Sequence, residues 1–70
     1  MMPLNMIGTG SSAEVRRVSG NEDVRRYLGN LGFVQGAKVT LLSEIGGSVI
    51  VGVCDSRIAI NKDMAAHILV

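Results

Sequence analysis

Two turn-forming segments interrupt an aliphatic stretch in the second half of the chain, and this pattern constrains the fold most. The segments "KVTLLSEI", "VIVGV" and "RIAI" are separated by Gly46-Gly47-Ser48 and by Asp55-Ser56. Aliphatic side chains alternate with small or polar ones, which is typical of strands with one buried face. The pattern predicts an antiparallel meander of three strands with one aliphatic face.

The second connection of this meander predicts its register. A two-residue turn at Asp55-Ser56 places Val53 opposite Ile58 and Val51 opposite Ile60. All four side chains then lie on one face, because a strand's side chains alternate between the two faces of a sheet.

The first connection is open to two interpretations. A three-residue loop at residues 46–48 keeps Ile45 on the same face as Leu41 and the other aliphatic side chains. A two-residue loop would turn Thr40 and Glu44 toward the core instead. We therefore expect the three-residue loop, with glycine available for a bulge.

The first half of the chain indicates a strand followed by a short helix. Residues 13–18, "AEVRRV", alternate loosely and predict the strand. Asn21 is a favourable N-cap, and the two acidic residues after it favour the positive end of the helix dipole. Apolar residues follow at i, i+4 and i+7 and form one helical stripe: Val24, Leu28 and Leu31.

The stretch "LGNLGFVQGAKV" after this stripe is rich in glycine, which raises the question of a phosphate-binding loop. It lacks the lysine and the Ser/Thr of a P-loop, and it precedes a strand rather than a helix. Gly32 instead suits a helix end, and Gly36 after Gln35 suits a type II turn. Gly29 costs about 1 kcal/mol inside a helix, which predicts the close approach of another backbone there.

The end of the chain completes the predicted fold. "NKDMAA" indicates a helical turn capped by Asn61, and "HILV" indicates a last short strand. We expect one domain over residues 1–70: a mostly β, small, partly open barrel with a short helix after the first strand and a helical turn before the last.

Composition excludes several functions. The net charge of +1 and the two aromatic residues, Tyr27 and Phe33, do not suit a nucleic-acid surface or a groove for proline-rich peptides. Cys54 is the only cysteine, which rules out an internal disulfide and favours a reducing, cytoplasmic compartment. No signal peptide is evident, and the longest apolar run is far short of the ~20 residues of a membrane-spanning helix.

The segments "PLNMIGTGSSAEVRRVSG", "VRRYLGNLGFVQGAKVTLL" and "VIVGVCDSRIAINKDMAAHILV" together resemble the FeoA family. These are small cytoplasmic proteins that accompany the bacterial ferrous iron transporter FeoB. The resemblance implies an SH3-like barrel, similar also to the C-terminal domain of iron- or manganese-dependent repressors. Gln35 stands where the family often has proline, and the loop around Gly46 is shorter than in many relatives.

The predicted helix offers the first candidate site. Its exposed flank is a candidate docking surface for a partner, with polar side chains at the rim and an aromatic anchor. The residues concerned are Arg25, Arg26, Tyr27, Leu28, Asn30 and Phe33. Core packing is the simpler interpretation for Leu28, and solvation is the simpler one for each arginine.

Two other sets of residues need an explanation. Leu42 and Ile50 lie on the predicted outer face, where they form an exposed apolar patch or lie under the N-terminal "PLNMI".

Asp63 and His67 are four residues apart and provide two ligands at most, which is an incomplete metal site. Cys54 and His67 lack the third group that orients a catalytic pair, and Cys54 is interpreted as a small filler on the outer face of its strand.

The resemblance implies a non-enzymatic accessory protein of ferrous iron uptake that binds the cytosolic part of a FeoB-type transporter. The alternative is a metal- or ligand-sensing module like the repressor domains. We expect no cofactor beyond weak binding of iron or manganese at Asp63 and His67, no nucleic-acid partner and no insertion into a membrane.

Overall fold

The computed structural model describes residues 1–70 and contains six strands, two α-helices and one 3-10 turn. In chain order these are the 3-10 turn Leu4–Met6, β1 Ser12–Glu14, β2 Arg17–Val18, α1 Glu22–Asn30, β3 Lys38–Ile45, β4 Ser48–Val53, β5 Ser56–Asn61, α2 Lys62–Ala65 and β6 Ile68–Leu69. The mostly β composition with one short helix and one helical turn confirms the predicted fold class. Neither helix has the length and apolarity needed to cross a membrane.

The strands form two antiparallel sheets, one with the order β1-β3-β4-β5 and one that pairs β2 with β6. The single strand predicted over residues 13–18 is therefore wrong. The amide of Val15 donates to the carbonyl of Ala37 at 2.8 Å, whereas the amide of Arg16 donates to Leu69 at 2.8 Å. The chain thus passes from the first sheet to the second between these two residues, which closes a corner of the barrel.

One apolar core lies between the sheets and α1, and it contains no buried polar residue. Its members are Leu4, Val15, Leu28, Phe33, Val39, Leu41, Val49, Val51, Val53, Ile60, Ala65 and Ile68. Burial of aliphatic side chains at about 25 cal/mol per Å² is the main force that holds such a small domain together.

The register of β3 against β4 differs from the predicted one. The connection has two residues, Gly46 and Gly47, so Ile45 pairs with Ser48, and the prediction of a three-residue loop is wrong. A β-bulge at Leu42 shifts the pairing between Leu41 and Ser43. A bulge adds one residue to one strand, and it therefore returns the earlier part of β3 to the aliphatic face.

The bulge decides which side chains near the turn face water. Beyond the bulge, Glu44 rather than Ile45 lies opposite Val49, and Glu44 forms an ion pair with Lys62. Ile45 is 67% exposed, so its predicted place on the core face is wrong. Thr40 precedes the bulge and stays on the outer face.

The connection between β4 and β5 also differs by one residue from the predicted turn. Cys54 and Asp55 form it, with φ of 51° and 64°, and Val53 pairs with Ser56. The turn predicted at Asp55-Ser56 is wrong. The pairing moves by two residues, so every side chain keeps its predicted face; Val51, for example, pairs with Ile58.

The N-terminal segment packs at the β6 end of the barrel. Leu4 is buried in the core, Pro3 forms a β-bridge with Leu69, and the amide of Met2 donates to Val70 at 2.9 Å. The segment thus pairs with the end of the chain, whereas one of the two predicted alternatives had it covering Leu42 and Ile50.

Candidate partner-binding surface

Helix α1 presents one buried and one exposed face. The side chain of Asn21 accepts from the amide of Val24 at 2.9 Å, which confirms the predicted N-cap. Leu28 is fully buried, and Val24 and Leu31 are partly buried against the core, as the apolar stripe predicts. The opposite face exposes Arg25, Arg26, Tyr27 and Asn30.

The C-terminal end of α1 is a Schellman motif, which explains the sequence "LGNLGF". Gly32 has φ of +108°, in the left-handed region that favours glycine. The amide of Phe33 donates to Leu28 at 3.0 Å, and the amide of Gly32 donates to Gly29 at 3.0 Å. The two hydrogen bonds fix the direction in which the chain leaves the helix.

This motif places two predicted site residues in the core. The motif commonly brings together the apolar side chains at the positions of Leu28 and Phe33, and these are 0% and 1% exposed. A partner therefore meets neither side chain on this surface, in contrast to the docking role predicted for them. Leu28 and Phe33 hold α1 on the barrel instead.

Two other apolar side chains are exposed near this end of the helix. Tyr27 is 48% exposed and Val34 is 52% exposed. Val34 opens the turn in which Gly36 has φ of 91° and Ala37 donates to Val34 at 3.0 Å, as predicted for a type II turn. Sequence reasoning missed Val34. The signal is the Schellman motif itself, which buries Phe33 and leaves the next residue at the surface.

The two arginines of α1 differ in their partners. Arg26 forms ion pairs with Glu22 at 3.0 Å and with Asp23 at 3.7 Å, all on exposed side chains. Exposed pairs of this kind contribute about 0.2–1 kcal/mol. Arg25 has no ion pair within the chain and is exposed, so its charge is available to a partner.

The β4–β5 turn lies against the end of α1. A Cβ on Gly32 would be 3.0 Å from the Sγ of Cys54, so a larger residue would require the Cys54 side chain to shift by a few tenths of an ångström. Cys54 is exposed and belongs to the turn rather than to the strand predicted for it. The close approach predicted at Gly29 is wrong within this chain, since a Cβ there would meet no atom within 4 Å.

An open groove of ≈ 530 Å³ crosses the outer face of β3, β4 and β5. Gly52 forms its floor, and a Cβ there would be 3.6 Å from Leu42, so the bulged side chain leans over the glycine. Leu42 and Ile50, the predicted apolar patch, are half-buried and lie outside the core. The groove is further lined by Ala37, Lys38, Thr40, Val53, Cys54, Asp55, Ser56 and Arg57.

The structure does not pair the two predicted metal ligands. Asp63 is exposed, and no ion pair within 4.0 Å joins it to His67. His67 is half-buried, and its Nδ1 shares a hydrogen bond of 3.1 Å with the hydroxyl of Ser19. No group of three His, Cys, Asp or Glu side chains is arranged to hold a metal ion. His67 thus links β6 to the end of β2.

The family profile described as the FeoA domain matches residues 2–70. This chain belongs to the FeoA family. The family is associated with ferrous iron transport, and the sequence resemblance is confirmed over the chain. A search of curated proteins finds no significant match.

Solved FeoA structures share the whole fold. The Chlorobium tepidum FeoA solution structure is 31% identical, with a TM-score of 0.88, and the similarity covers 97% of this chain and 67% of that one. A crystal structure of an iron uptake regulatory protein, FeoA, is 30% identical, with a TM-score of 0.87 and coverage of 96% and 89%. Stenotrophomonas maltophilia FeoA complexed with zinc is 28% identical, with a TM-score of 0.86 and coverage of 99% and 88%.

The predicted SH3-like barrel is confirmed by these relatives. The Stenotrophomonas protein is described as a prokaryotic SH3-domain protein and suggested as an activating factor for bacterial ferrous iron transport. A manganese-dependent transcriptional repressor shares the fold at 20% identity, with a TM-score of 0.84 and coverage of 94% of this chain and 38% of that one. That last likeness concerns the fold alone.

Proposed function

We propose that this FeoA protein is a non-enzymatic accessory protein of ferrous iron uptake that binds the cytosolic part of a FeoB-type transporter. Membership of the FeoA family carries the assignment to ferrous iron transport. The docking residues we propose are Arg25, Tyr27 and Val34, which we call the α1 surface. They offer an unpaired cation, an exposed aromatic ring and an exposed aliphatic side chain. Arg25 and Tyr27 are two residues apart in α1 and so lie on different flanks of it, which a partner would contact by spanning the outer face of the helix.

The rigidity of its support favours the α1 surface as a docking site. The N-cap at Asn21 and the Schellman motif at Gly32 fix both ends of α1, and Leu28 anchors its inner face. Binding therefore orders little additional backbone at this surface, and a preorganised interface of this kind loses less conformational entropy on association. Tyrosine and arginine are also enriched among residues that dominate binding energy.

The test is a titration of this protein with the purified cytosolic domain of the transporter. Tyr27→Ala removes an aromatic side chain from the proposed interface and is expected to weaken binding about 30-fold, which corresponds to about 2 kcal/mol. Arg25→Ala is expected to lower the association rate, more at low salt than at high salt. Calorimetry and kinetic binding measurements would give the two quantities.

The matched control is Arg26→Ala, because the Arg26 charge is already engaged with Glu22 and Asp23 on the same helix. We expect this variant to bind within about twofold of the parent protein, as for most interface-neutral truncations. Absence of binding by the parent protein would contradict the proposal. Unchanged binding of Tyr27→Ala would contradict the role of the α1 surface, and equal loss with Arg25→Ala and Arg26→Ala would show that the ion pairs do not withhold Arg26 from the partner.

A second candidate function is metal sensing, and the similarity to a FeoA crystallised with zinc is the observation that favours it. The residues we would assign to it are Asp63 and His67, which are not within 4.0 Å of each other, so a bound ion would have to draw the exposed Asp63 side chain toward His67. The Nδ1 of His67 is engaged with Ser19, which leaves Nε2 without a hydrogen bond in the chain. Titration with zinc ion, followed through amide NMR shifts, tests this function, and manganous ion adds a check through line broadening at the same amides. Saturable shifts at both residues would support it, and shifts elsewhere or none would contradict it.

A further inference from the structure

Strand β5 forms an open edge of the four-stranded sheet. Val53 and Ser56 flank a two-residue turn and are therefore a hydrogen-bonded pair of the β4–β5 ladder. The alternation of antiparallel pairing then directs the amides and carbonyls of Arg57 and Ala59 away from β4. No other backbone group of the chain bonds to them.

This edge carries one charged side chain, Arg57, but lacks the other features that usually protect a sheet edge. Natural edge strands are commonly short, bulged, or interrupted by proline or lysine. β5 has six residues in regular register, with no proline and no bulge, and Arg57 and Ala59 are exposed. The opposite edge of the same sheet, β1, has only three residues. Of the two edges, β5 is thus the one long enough to receive another strand.

The groove over Gly52 lies beside this edge. Gly52 pairs with Arg57 on one side and with Thr40 on the other, so the missing side chain leaves a notch on the outer face. Lys38 and Arg57 line the groove, and neither forms an ion pair within the chain. Asp55 is the only acidic residue among the lining side chains. The lining side chains therefore carry excess positive charge, which is concentrated at Arg57 because Glu14 of β1 lies opposite Lys38.

We propose that the β5 edge and this groove together bind an extended peptide segment of a partner protein that carries a carboxylate side chain. The peptide backbone pairs with Arg57 and Ala59, as in strand addition to an open sheet. Its carboxylate meets the Arg57 guanidinium on the outer face, where the charge of Lys38 adds to the attraction. This site uses none of the three residues of the α1 surface.

A second copy of the chain fits this site less well than an acidic peptide. The outer-face side chains of β5 are Arg57, Ala59 and Asn61, and none of them is a carboxylate. Pairing of β5 with a second β5 would leave Arg57 without a partner of opposite charge and would not use the groove.

The probe is a capped hexapeptide of alternating valine and glutamate, titrated into labelled protein and followed by amide NMR. We expect saturable shifts at Gly52 and along residues 56–60. A matched peptide with lysine in place of glutamate is expected to bind about fivefold more weakly, which corresponds to the upper range for one exposed ion pair. A version methylated at its backbone amides is expected to show no saturable binding, because it lacks the donors for strand pairing.

Two variants test the backbone and the charge separately. Ala59→Pro removes an outward amide, which an edge strand tolerates because that amide does not bond to β4, and binding is expected to fall at least about tenfold. Arg57→Glu is expected to reverse the preference and favour the lysine peptide. Arg16→Glu is the matched charge control at an exposed position outside the groove, and Tyr27→Ala should leave peptide binding unchanged.

Four outcomes would overturn the proposal: no saturable shifts, equal binding of the two peptides, shifts confined to α1, or self-association of the protein that Ala59→Pro abolishes. The last would assign the edge to a second copy. If Ala59→Pro does not fold, the methylated peptide tests the backbone contact and Arg57→Glu tests the charge. Loss of transporter binding with intact peptide binding would concern the α1 surface alone.

Discussion

The β3–β4 turn and the β4–β5 turn each hold two residues, but different residue types adopt the left-handed conformation in them. In the first turn Gly46 has φ of +58°, and a Cβ there would meet no atom within 4 Å. In the second, Cys54 and Asp55 have φ of 51° and 64°. That conformation costs a residue with a Cβ about 1–2 kcal/mol, whereas glycine adopts it readily.

The difference between the turns follows from what surrounds them. The glycine turn is exposed, and a Cβ on either glycine would meet no atom within 4 Å; the amide of Lys62 donates to the carbonyl of Gly47 at 3.0 Å. The Cys54–Asp55 turn lies against Gly32 at the end of α1 and continues two regular strands. Packing and register therefore hold a backbone conformation that the local sequence does not favour. Substitutions at the two turns and at Gly32 test this explanation.

Gly32→Ala is expected to have the largest effect, a loss of about 2 kcal/mol in the free energy of unfolding. The left-handed φ strains alanine, and the new Cβ would be 3.0 Å from the Sγ of Cys54. Urea unfolding of the variant measures the loss. In a Cys54→Ala background the cost should fall to about half, because only the backbone term remains. An equal cost in both backgrounds would show that the helix and the turn are not coupled.

Gly46→Ala should destabilise the protein by about 1 kcal/mol, the cost of the left-handed backbone without a steric contact. The unfolding midpoint in urea would report it. The predicted loss is smaller than that at Gly32 since the glycine turn has no neighbour to displace. A loss as large as that of Gly32→Ala would mean that the turn supports more of the barrel than its exposure indicates.

Asp55→Gly should stabilise the protein by about 0.5–1 kcal/mol, because glycine is the preferred residue at the second position of a type I′ turn. Thermal unfolding at fixed pH would show a higher midpoint. The sign is opposite to that expected at Gly46, and this contrast is the sharpest test of the comparison. A lower midpoint would indicate that the Asp55 side chain makes a stabilising contact.

Gly47→Ala is expected to have the smallest effect, within about 0.5 kcal/mol. Gly47 lies in the same turn as Gly46, but its φ is outside the left-handed region and its surroundings are open. Alanine is compatible with such a position and reduces the entropy of the unfolded chain. A clear loss here would mean that the turn needs glycine at both positions.

Local backbone chemistry made the helix and its ends predictable from the sequence. Asn21 and Gly32 act through hydrogen bonds and φ values within a few residues of themselves, and both were identified correctly. The same holds for Asn61, whose side chain accepts from Met64 at the start of α2. Such features depend on neighbours in the sequence, and the sequence shows those neighbours directly.

The bulge at Leu42 could not be predicted, because no glycine or proline marks it. A bulge changes which face later residues occupy, and the three-residue loop was an alternative way to bury the same aliphatic side chains. As a result Glu44, rather than Ile45, lies opposite Val49, and Ile45 is exposed. The error at the β4–β5 turn has another cause: a shift of two residues keeps every face, so the hydrophobic pattern cannot detect it.

The candidate surfaces show a similar division. The exposure of Arg25 and Tyr27 follows from the apolar stripe of α1, and the structure agrees. Val34 is exposed and Phe33, which was predicted for the surface, is buried, because the Schellman motif sets the direction in which the chain leaves α1. The groove over Gly52 depends on pairing across three strands, and the sequence does not specify such pairing until the register is known.

The corner at Val15 and Arg16 has a kinetic consequence. The amide of Val15 bonds to Ala37, which is 37 − 15 = 22 residues away, and that of Arg16 bonds to Leu69, which is 69 − 16 = 53 residues away. Closing the longer loop costs more entropy and slows contact formation. Pulse-labelled hydrogen exchange during refolding therefore compares an early contact with a late one at these two adjacent amides, across a single peptide bond.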